Sequence, residues 1–351
     1  MNECDLKGVD WGNVDGKTVR RFTLVNHQGL LMRVINLGCI VTEMHLPDRA
    51  GRFADVTSGF DALEGYRAGH PYFGAICGRF SNRIANGRFT LDGQSYSLAI
   101  NNPPNHLHGG VRGFDKVVWN AFGTETPAGP SVTFKHTSPA GDEGYPGRLD
   151  VEVVYTLTHD NTFRIDMTAT CDAPTIVNLV NHAYWNLAGH GQGSIREHEL
   201  VVHATCHTPK TGMSVPDGTL APVGGTSFDF RQPKPIGRDL MSVFDGMPGY
   251  DNNFVIDGPV GTLRPAARLV DPSSGRTMEV LTDQPGLQVY TGNFLDGTLR
   301  GKGGVAYPQH SLICLETQNF PDAINHARFP SPVLRPGRTY RHTMVHRFGL
   351  A

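Results

Sequence analysis

No uninterrupted apolar stretch in the 351-residue sequence approaches the ~20 residues of a membrane-spanning helix, so none is predicted. The start, Met1-Asn-Glu-Cys-Asp, lacks the basic and apolar regions of a secretory leader, and the expected compartment is the cytoplasm. Charge of one sign is missing too. The formal net charge is −2 and long same-sign runs are absent, which speaks against a nucleic-acid footprint or a polybasic membrane patch and favours a small neutral partner. The six cysteines, at 4, 39, 77, 171, 206 and 314, show no Cys-x-x-Cys spacing and read as free thiols. There is no Gly-x-Ser-x-Gly elbow, Walker loop or Gly-x-Gly-x-x-Gly fingerprint. The usual grounds for a serine hydrolase, a nucleotide hydrolase or a Rossmann dehydrogenase are therefore absent. No window sustains an apolar helical period over three turns; Asp61 to Arg67 offers a turn or two.

What remains is turn-rich and strand-rich. Glycine (42) and proline (24) punctuate short alternating segments, which predicts an all-β fold with few short helices. No linker composition, repeat or low-complexity segment appears. One large antiparallel β-sandwich over 1–351 is therefore expected. The clearest hairpin alternates Leu149, Val151, Val153, Tyr155 and Leu157 with polar neighbours, then Phe163, Ile165, Met167 and Ala169 after a His159-Asp-Asn turn. Period two on both arms puts one face in a core. A first hairpin is read over Lys17 to Asn26 and Leu30 to Leu37, with a strand at Ile40 to Leu46. Later strands are expected at His198 to Ala204, Arg268 to Val270, Thr277 to Leu281, Leu287 to Thr291, Ser311 to Glu316 and Tyr340 to Phe348.

Two stretches carry chemistry. Asn178-Leu-Val-Asn-His-Ala-Tyr-Trp-Asn-Leu187 reads as an extended segment in which Asn181, His182, Tyr184 and Asn186 are too many polar groups for a buried strand unless they line a cavity. Leu312-Ile-Cys-Leu-Glu-Thr-Gln-Asn-Phe-Pro321 places Glu316 inside an apolar run, where a lone charge is costly unless paired or used. By pattern alone, His182 also fits a hydrogen-bonded core histidine and Glu316 a salt-bridged structural carboxylate.

Other stretches are read with equal openness. Gly78-Arg-Phe-Ser-Asn-Arg-Ile-Ala-Asn-Gly-Arg88 concentrates donors, and Asn82 and Arg83 fit either a solvated turn or a polyhydroxylated ligand. Its Cys77-x5-Arg83 spacing lacks the glycines and acidic partner of a cysteine phosphatase. In Asn101-Asn-Pro-Pro-Asn-His-Leu-His-Gly-Gly110, an extended backbone would put His106 and His108 on one side. Without a third close ligand, hydrogen bonding by His108 is preferred to a metal site, and His203 with Cys206-His207 is discounted likewise. Asp251, in Gly249-Tyr-Asp-Asn-Asn-Phe254, suits either an Asx-turn or two sugar hydroxyls. Gln288 is a polar residue in a strand whose Leu287 and Val289 face the other way, which suits a pocket amide.

Together these motifs resemble the aldose 1-epimerase (galactose mutarotase) family over nearly the whole chain. Those that carry the resemblance are Gly78-Arg-Phe-Ser-Asn-Arg-Ile-Ala, Leu107-His-Gly-Gly-Val-Arg-Gly-Phe-Asp, Asp142-Glu-Gly-Tyr-Pro-Gly, Asn181-His-Ala-Tyr-Trp-Asn-Leu, Gly249-Tyr-Asp-Asn-Asn-Phe and Leu315-Glu-Thr-Gln-Asn-Phe-Pro-Asp. The resemblance implies a mutarotase-like supersandwich with a sugar cleft. In it His182 is the general acid, Glu316 the general base, and Asn82, Arg83, His108, Asp251 and Gln288 are sugar ligands. It implies no cofactor and no metal, a free aldose as partner in hexose or pentose metabolism, and a monomer or weak homodimer. His207-Thr-Pro-Lys-Thr-Gly212 replaces the family's usual Tyr-x-Pro-Val-Asp-type run, and Trp185 its commoner Phe. Those departures bear on sugar preference. The rival readings are a hexose 6-phosphate mutarotase, with Arg79, Arg83, Arg88 and Arg112 as candidate phosphate clamp, and a noncatalytic sugar-binding module on the same fold.

Overall fold

The computed structural model describes residues 3–243 and 248–351; Met1 and Asn2, at the head of the start read above, lie outside the described residues. Three antiparallel sheets dominate. A five-stranded meander runs Asp5–Val14, Lys17–Val25, Leu31–Ile35, Ile40–Pro47, Phe53–Asp55. Its second turn closes on Asn26, whose side-chain oxygen accepts from the N–H groups of Gln28 (3.0 Å) and Leu30 (2.9 Å), so an asparagine at this position sets the hairpin.

The nine-stranded sheet places Asn120–Thr126, Gly129–Ser138, Leu149–Leu157 and Thr162–Cys171 side by side. Tyr340–Leu350 comes next, followed by Arg276–Thr282, Arg264–Val270, Glu199–Val202 and Lys234–Pro235. The central hairpin forms in the register its alternation demands, Val153 opposite Met167 and Tyr155 opposite Ile165. The apolar face of the nine-stranded sheet is buried against the meander, with Phe22 edge-on to Phe134, and against the third sheet through Trp185 and Phe348. Each fully buried side chain of this kind contributes roughly 1.5–3 kcal/mol. The third sheet has six strands in the order Tyr184–Trp185, Ile313–Gln318, Gly286–Tyr290, Asp251–Ile256, Ala204–His207, Ala221–Pro222. The expected short helix is Leu63–Arg67.

Three sequence expectations change. The segment 178–187 is not one extended strand: Val180–Asn181 pairs with Ile76–Cys77, whereas Tyr184–Trp185 pairs with Ile313–Gln318. The strand expected over 198–204 is two, because the backbone turns at His203 and leaves the nine-stranded sheet for the six-stranded one. Strands the alternation did not signal are Asp5–Val14, Asn120–Thr126, Gly129–Ser138, Asp251–Ile256 and the hairpin Arg88–Leu91 with Gln94–Ser97. Asp5–Val14 and Asn120–Thr126 are largely exposed and lack a clean apolar face.

Candidate active site

Strand period two builds the floor. Along Ile313–Gln318, which is buried on both faces, Ile313 and Leu315 enter the core, so Cys314, Glu316 and Gln318 emerge on the other side. Register extends that polar face sideways: Glu316 lies opposite Gln288, and Gln288 opposite Asn253; Cys314 lies opposite Tyr290, and Tyr290 opposite Asp251. The result is a row of amides and carboxylates over a sheet whose reverse is hydrocarbon.

Those groups orient one another. Gln318 Nε2 donates to both Gln288 Oε1 and Asn253 Oδ1, each at 3.0 Å, which turns the Gln288 amide so that its Nε2 donates to Asp251 Oδ1 at 2.6 Å. The other Asp251 oxygen faces Lys210 Nζ at 3.5 Å and Arg83 at 3.8 Å. Burial pushes the Asp251 carboxyl up, but Lys210, Arg83 and Gln288 together outweigh it and hold the group below its ordinary range.

Loops supply the roof. Tyr72, Asn82 and His108 all adopt left-handed backbone, at φ 62°, 62° and 50°, a conformation most side chains avoid and surrounding structure must enforce. Gly109 shows how. At φ +89° it packs so closely that a Cβ there would lie 1.7 Å from the Gly78 carbonyl oxygen, so only glycine lets the 107–110 loop sit on the 78–79 backbone. That contact sets His108 Nδ1 to accept the Asn82 backbone N–H at 3.2 Å, which leaves Nε2 as the protonated nitrogen of neutral His108. Burial, with His182, Arg83 and Lys116 nearby, holds His108 well below the usual imidazole range.

His182 is clamped between the rings of Tyr72 (centroids 5.7 Å apart) and Tyr184 (5.0 Å), both nearly parallel to it. Its backbone N–H donates to Ala75 O and its carbonyl accepts from Gly74 N. Nε2 stands 3.7 Å from Glu316 Oε2, and Nδ1 stands 3.5 Å from Cys314 Sγ. Burial acts on this pair in opposite directions: it lowers His182 to about 4 and raises Glu316 well above the carboxylate range, with Asp251 adding to the latter. Glu316 Oε2 is buried and has no hydrogen-bond partner among the described residues.

The seven residues singled out by sequence, Asn82, Arg83, His108, His182, Asp251, Gln288 and Glu316, all line one 130 Å³ cavity, together with Pro71, Tyr72, Leu107, Tyr184, Tyr290 and Phe294. Larger surface grooves, such as one of 520 Å³ around His27 and Phe53, are lined by none of these seven residues. Other expectations are corrected. Asn181 and Asn186 do not line the cavity: their Nδ2 groups donate to Gly74 O and Tyr155 OH, and to Ser311 O and Gly193 O. His106 and His108 do not share a side, because His108 turns left-handed while His106 binds Tyr145 OH at 2.6 Å. Asp251 belongs to a strand, not an Asx-turn. His207 stacks on Phe228.

Sequence reasoning missed Gln318, Cys314, Tyr72 and Lys210. The first two were legible as positions two before and two after Glu316 on one strand face, whereas Tyr72 and Lys210 arrive from loops without a periodic signal.

The aldose 1-epimerase family profile matches residues 20–347. Galactose mutarotase from Homo sapiens is 48% identical over 338 residues, covering 96% of each chain, and that from Bos taurus is 48% identical over 334 residues, covering 95% of each. The crystal structure of an aldose epimerase homologue from C. elegans superimposes with a TM-score of 0.87 at 31% identity, covering 95% of this chain and 99% of that one.

Proposed function

The chain belongs to the aldose 1-epimerase family, an isomerase family, and we infer from this premise that it interconverts the α and β anomers of free aldoses by general acid and base catalysis in the cavity around His182 and Glu316. One observation carries the assignment of the site. A buried carboxylate oxygen without a hydrogen-bond partner among the described residues faces an imidazole at 3.7 Å, and a sugar's C1 hydroxyl and ring oxygen are the groups such a pair can serve.

The proton balance follows from the pair. Glu316 as carboxylate takes the C1 hydroxyl proton while His182 as imidazolium gives one to the ring oxygen; the C1 to ring-oxygen bond breaks and the aldehyde forms. After rotation about C1–C2, the C5 hydroxyl attacks the other carbonyl face, returns a proton to His182, and Glu316 reprotonates the carbonyl oxygen. Midway, therefore, the carboxyl is protonated and the imidazole neutral. That is the state desolvation favours in this cavity, so the pocket is electrostatically matched to the ring-opened form. Asn82, Arg83, His108, Asp251 and Gln288 are the proposed sugar ligands, with Asp251 accepting from hydroxyls and His108 Nε2 donating.

The pair works with one shared proton, so kcat/KM should trace a bell. Its acid limb, where a second proton arrives, is expected near the His182 value of about 4, and its alkaline limb far above the ordinary carboxylate range. Polarimetric rates against pH measure both; an acid limb at the ordinary imidazole value would contradict the desolvated pair.

Lys210 lies in the 207–212 run that departs from the pattern expected by resemblance, and it sits beside Asp251. Lys210→Ala should raise KM by about fivefold, the equivalent of roughly 1 kcal/mol, with little change in kcat, because the contact steadies a ligand rather than the reacting atoms.

The phosphate clamp does not assemble. Arg79 is buried, Arg88 is exposed, Arg112 pairs with Asp15 at the surface, and Arg83 alone reaches the cavity. Glucose 6-phosphate is therefore expected to be turned over at least about tenfold less efficiently than glucose in the same polarimetric panel. Ligand binding without faster anomer exchange would favour the noncatalytic module instead. One domain is part of the proposal, supported by a core running from Phe22 to Phe348, as are a monomer or weak homodimer and a cytoplasmic location, the last supported by six free cysteines.

A further inference from the structure

Three donors of different chemical kinds meet on the cavity floor. A ring nitrogen of His182, Sγ of Cys314 and a carboxylate oxygen of Glu316 all lie within 4.8 Å of one another, and all three residues are buried. Cys314 and Glu316 emerge from the same face of one strand, and the imidazole lies over them between two tyrosine rings. Glu316 Oε2, which has no hydrogen-bond partner among the described residues, is the acceptor that a cation here would engage.

From this geometry we propose that His182, Cys314 and Glu316 form a binding site for a zinc-like divalent cation, and that the cation occupies the pocket in competition with the sugar. Bonds of about 2.0 Å to nitrogen and oxygen and about 2.3 Å to sulfur put tetrahedral donors about 3.3–3.6 Å apart, so a shift of about 1 Å closes the set. The Cys314 Sγ to His182 Nδ1 separation, 3.5 Å, already has that value, and the Glu316 oxygen, which stands 3.7 Å from Nε2 on the other side of the ring, is the donor that has to move. A nitrogen and a thiolate select zinc, cobalt or cadmium over magnesium and calcium, which prefer oxygen cages. The fourth position faces the cavity, where solvent or a hydroxyl completes the shell. A metal here takes the Glu316 lone pair that the proton exchange uses and fills the space of the C1 hydroxyl, so it inhibits.

A second cluster, Glu43, His45 and Asp55, has comparable spacing. Arg33 and Lys302 already occupy its carboxylates, so it is the weaker candidate.

Binding stands apart from the proposed function, whereas inhibition rests on it. Co2+ titrated into the full chain should produce a near-ultraviolet thiolate-to-cobalt band at one equivalent, displaced by Zn2+, suppressed by galactose and unaffected by Mg2+. Cys314→Ser and Cys314→Ala should lose the band, while Cys206→Ser keeps it. Zn2+ should slow mutarotation competitively with sugar, and its inhibition constant should rise at least about tenfold in either Cys314 variant, each compared with its own basal rate. No band, or a band that survives in both Cys314 variants, overturns the metal site. A band lost with Cys314 but without effect on mutarotation leaves the metal site standing and refutes this cavity as the place of reaction.

Discussion

Glu316→Gln should lower kcat for anomer exchange by about two to four orders of magnitude, the range general acid or base catalysis supplies, while sugar binding stays measurable by calorimetry. The amide keeps the shape and one acceptor of the carboxylate but cannot take up a proton, so loss of rate with retained affinity isolates the proton step. The same change should raise thermal stability at neutral pH. Burial raises the folded-state carboxyl well above its ordinary range, so the native protein carries a penalty that grows as pH climbs past the unfolded carboxylate value of ~4.3 and is absent below it. The Gln variant should therefore melt higher than the parent at neutral pH, with the difference closing in acid. A variant that retains most of its rate would remove Glu316 from the chemistry.

Arg79→Leu should do the reverse, unfolding the protein without touching a pocket residue. Arg79 is 1% exposed, and its guanidinium donates to four backbone carbonyls, Ser138, Pro139, Pro146 and Gly147, at 2.7–3.0 Å, and to the Ser138 and Thr175 hydroxyls. Burial lowers its pKa to about 10, still high enough to keep the charge at neutrality. Removing the fork strands several buried acceptors at about 1–3 kcal/mol each before relaxation, so a loss on the order of 3–5 kcal/mol is expected in denaturant titrations. Arg79→Lys should rescue little, because three donors on a point cannot span that arc of carbonyls. Arg83→Leu is the control: weaker sugar binding, with a much smaller change in melting. An Arg79→Leu protein within about 1 kcal/mol of the parent would contradict this account.

That pair of arginines marks how far the sequence could be read. Gly78-Arg-Phe-Ser-Asn-Arg announces donors, but four positions apart in an irregular loop carries no period, so nothing local says that one guanidinium supports backbone and the other enters the cavity. Where a period exists, legibility is high: the 149–157 and 162–171 strands, their register and their buried face were all written in alternation. The same rule applied around Glu316 would have found Cys314 and Gln318. It fails at 178–187, where Asn181 and Asn186 look like pocket residues and instead satisfy buried backbone groups, a task set by neighbours distant in the chain. The departure at 207–212 was visible, but its contact with Asp251 required the fold.

The position of Tyr340–Leu350 has a temporal consequence. This strand lies between Thr162–Cys171 and Arg276–Thr282, and among the described residues no other element joins those two neighbours within the sheet. During synthesis the earlier strands can assemble on either side of a gap, but the seam stays open until this last described segment leaves the ribosome. A nascent chain stalled before it would expose two unpaired sheet edges, and chaperones that shield such edges would hold it longest at that stage.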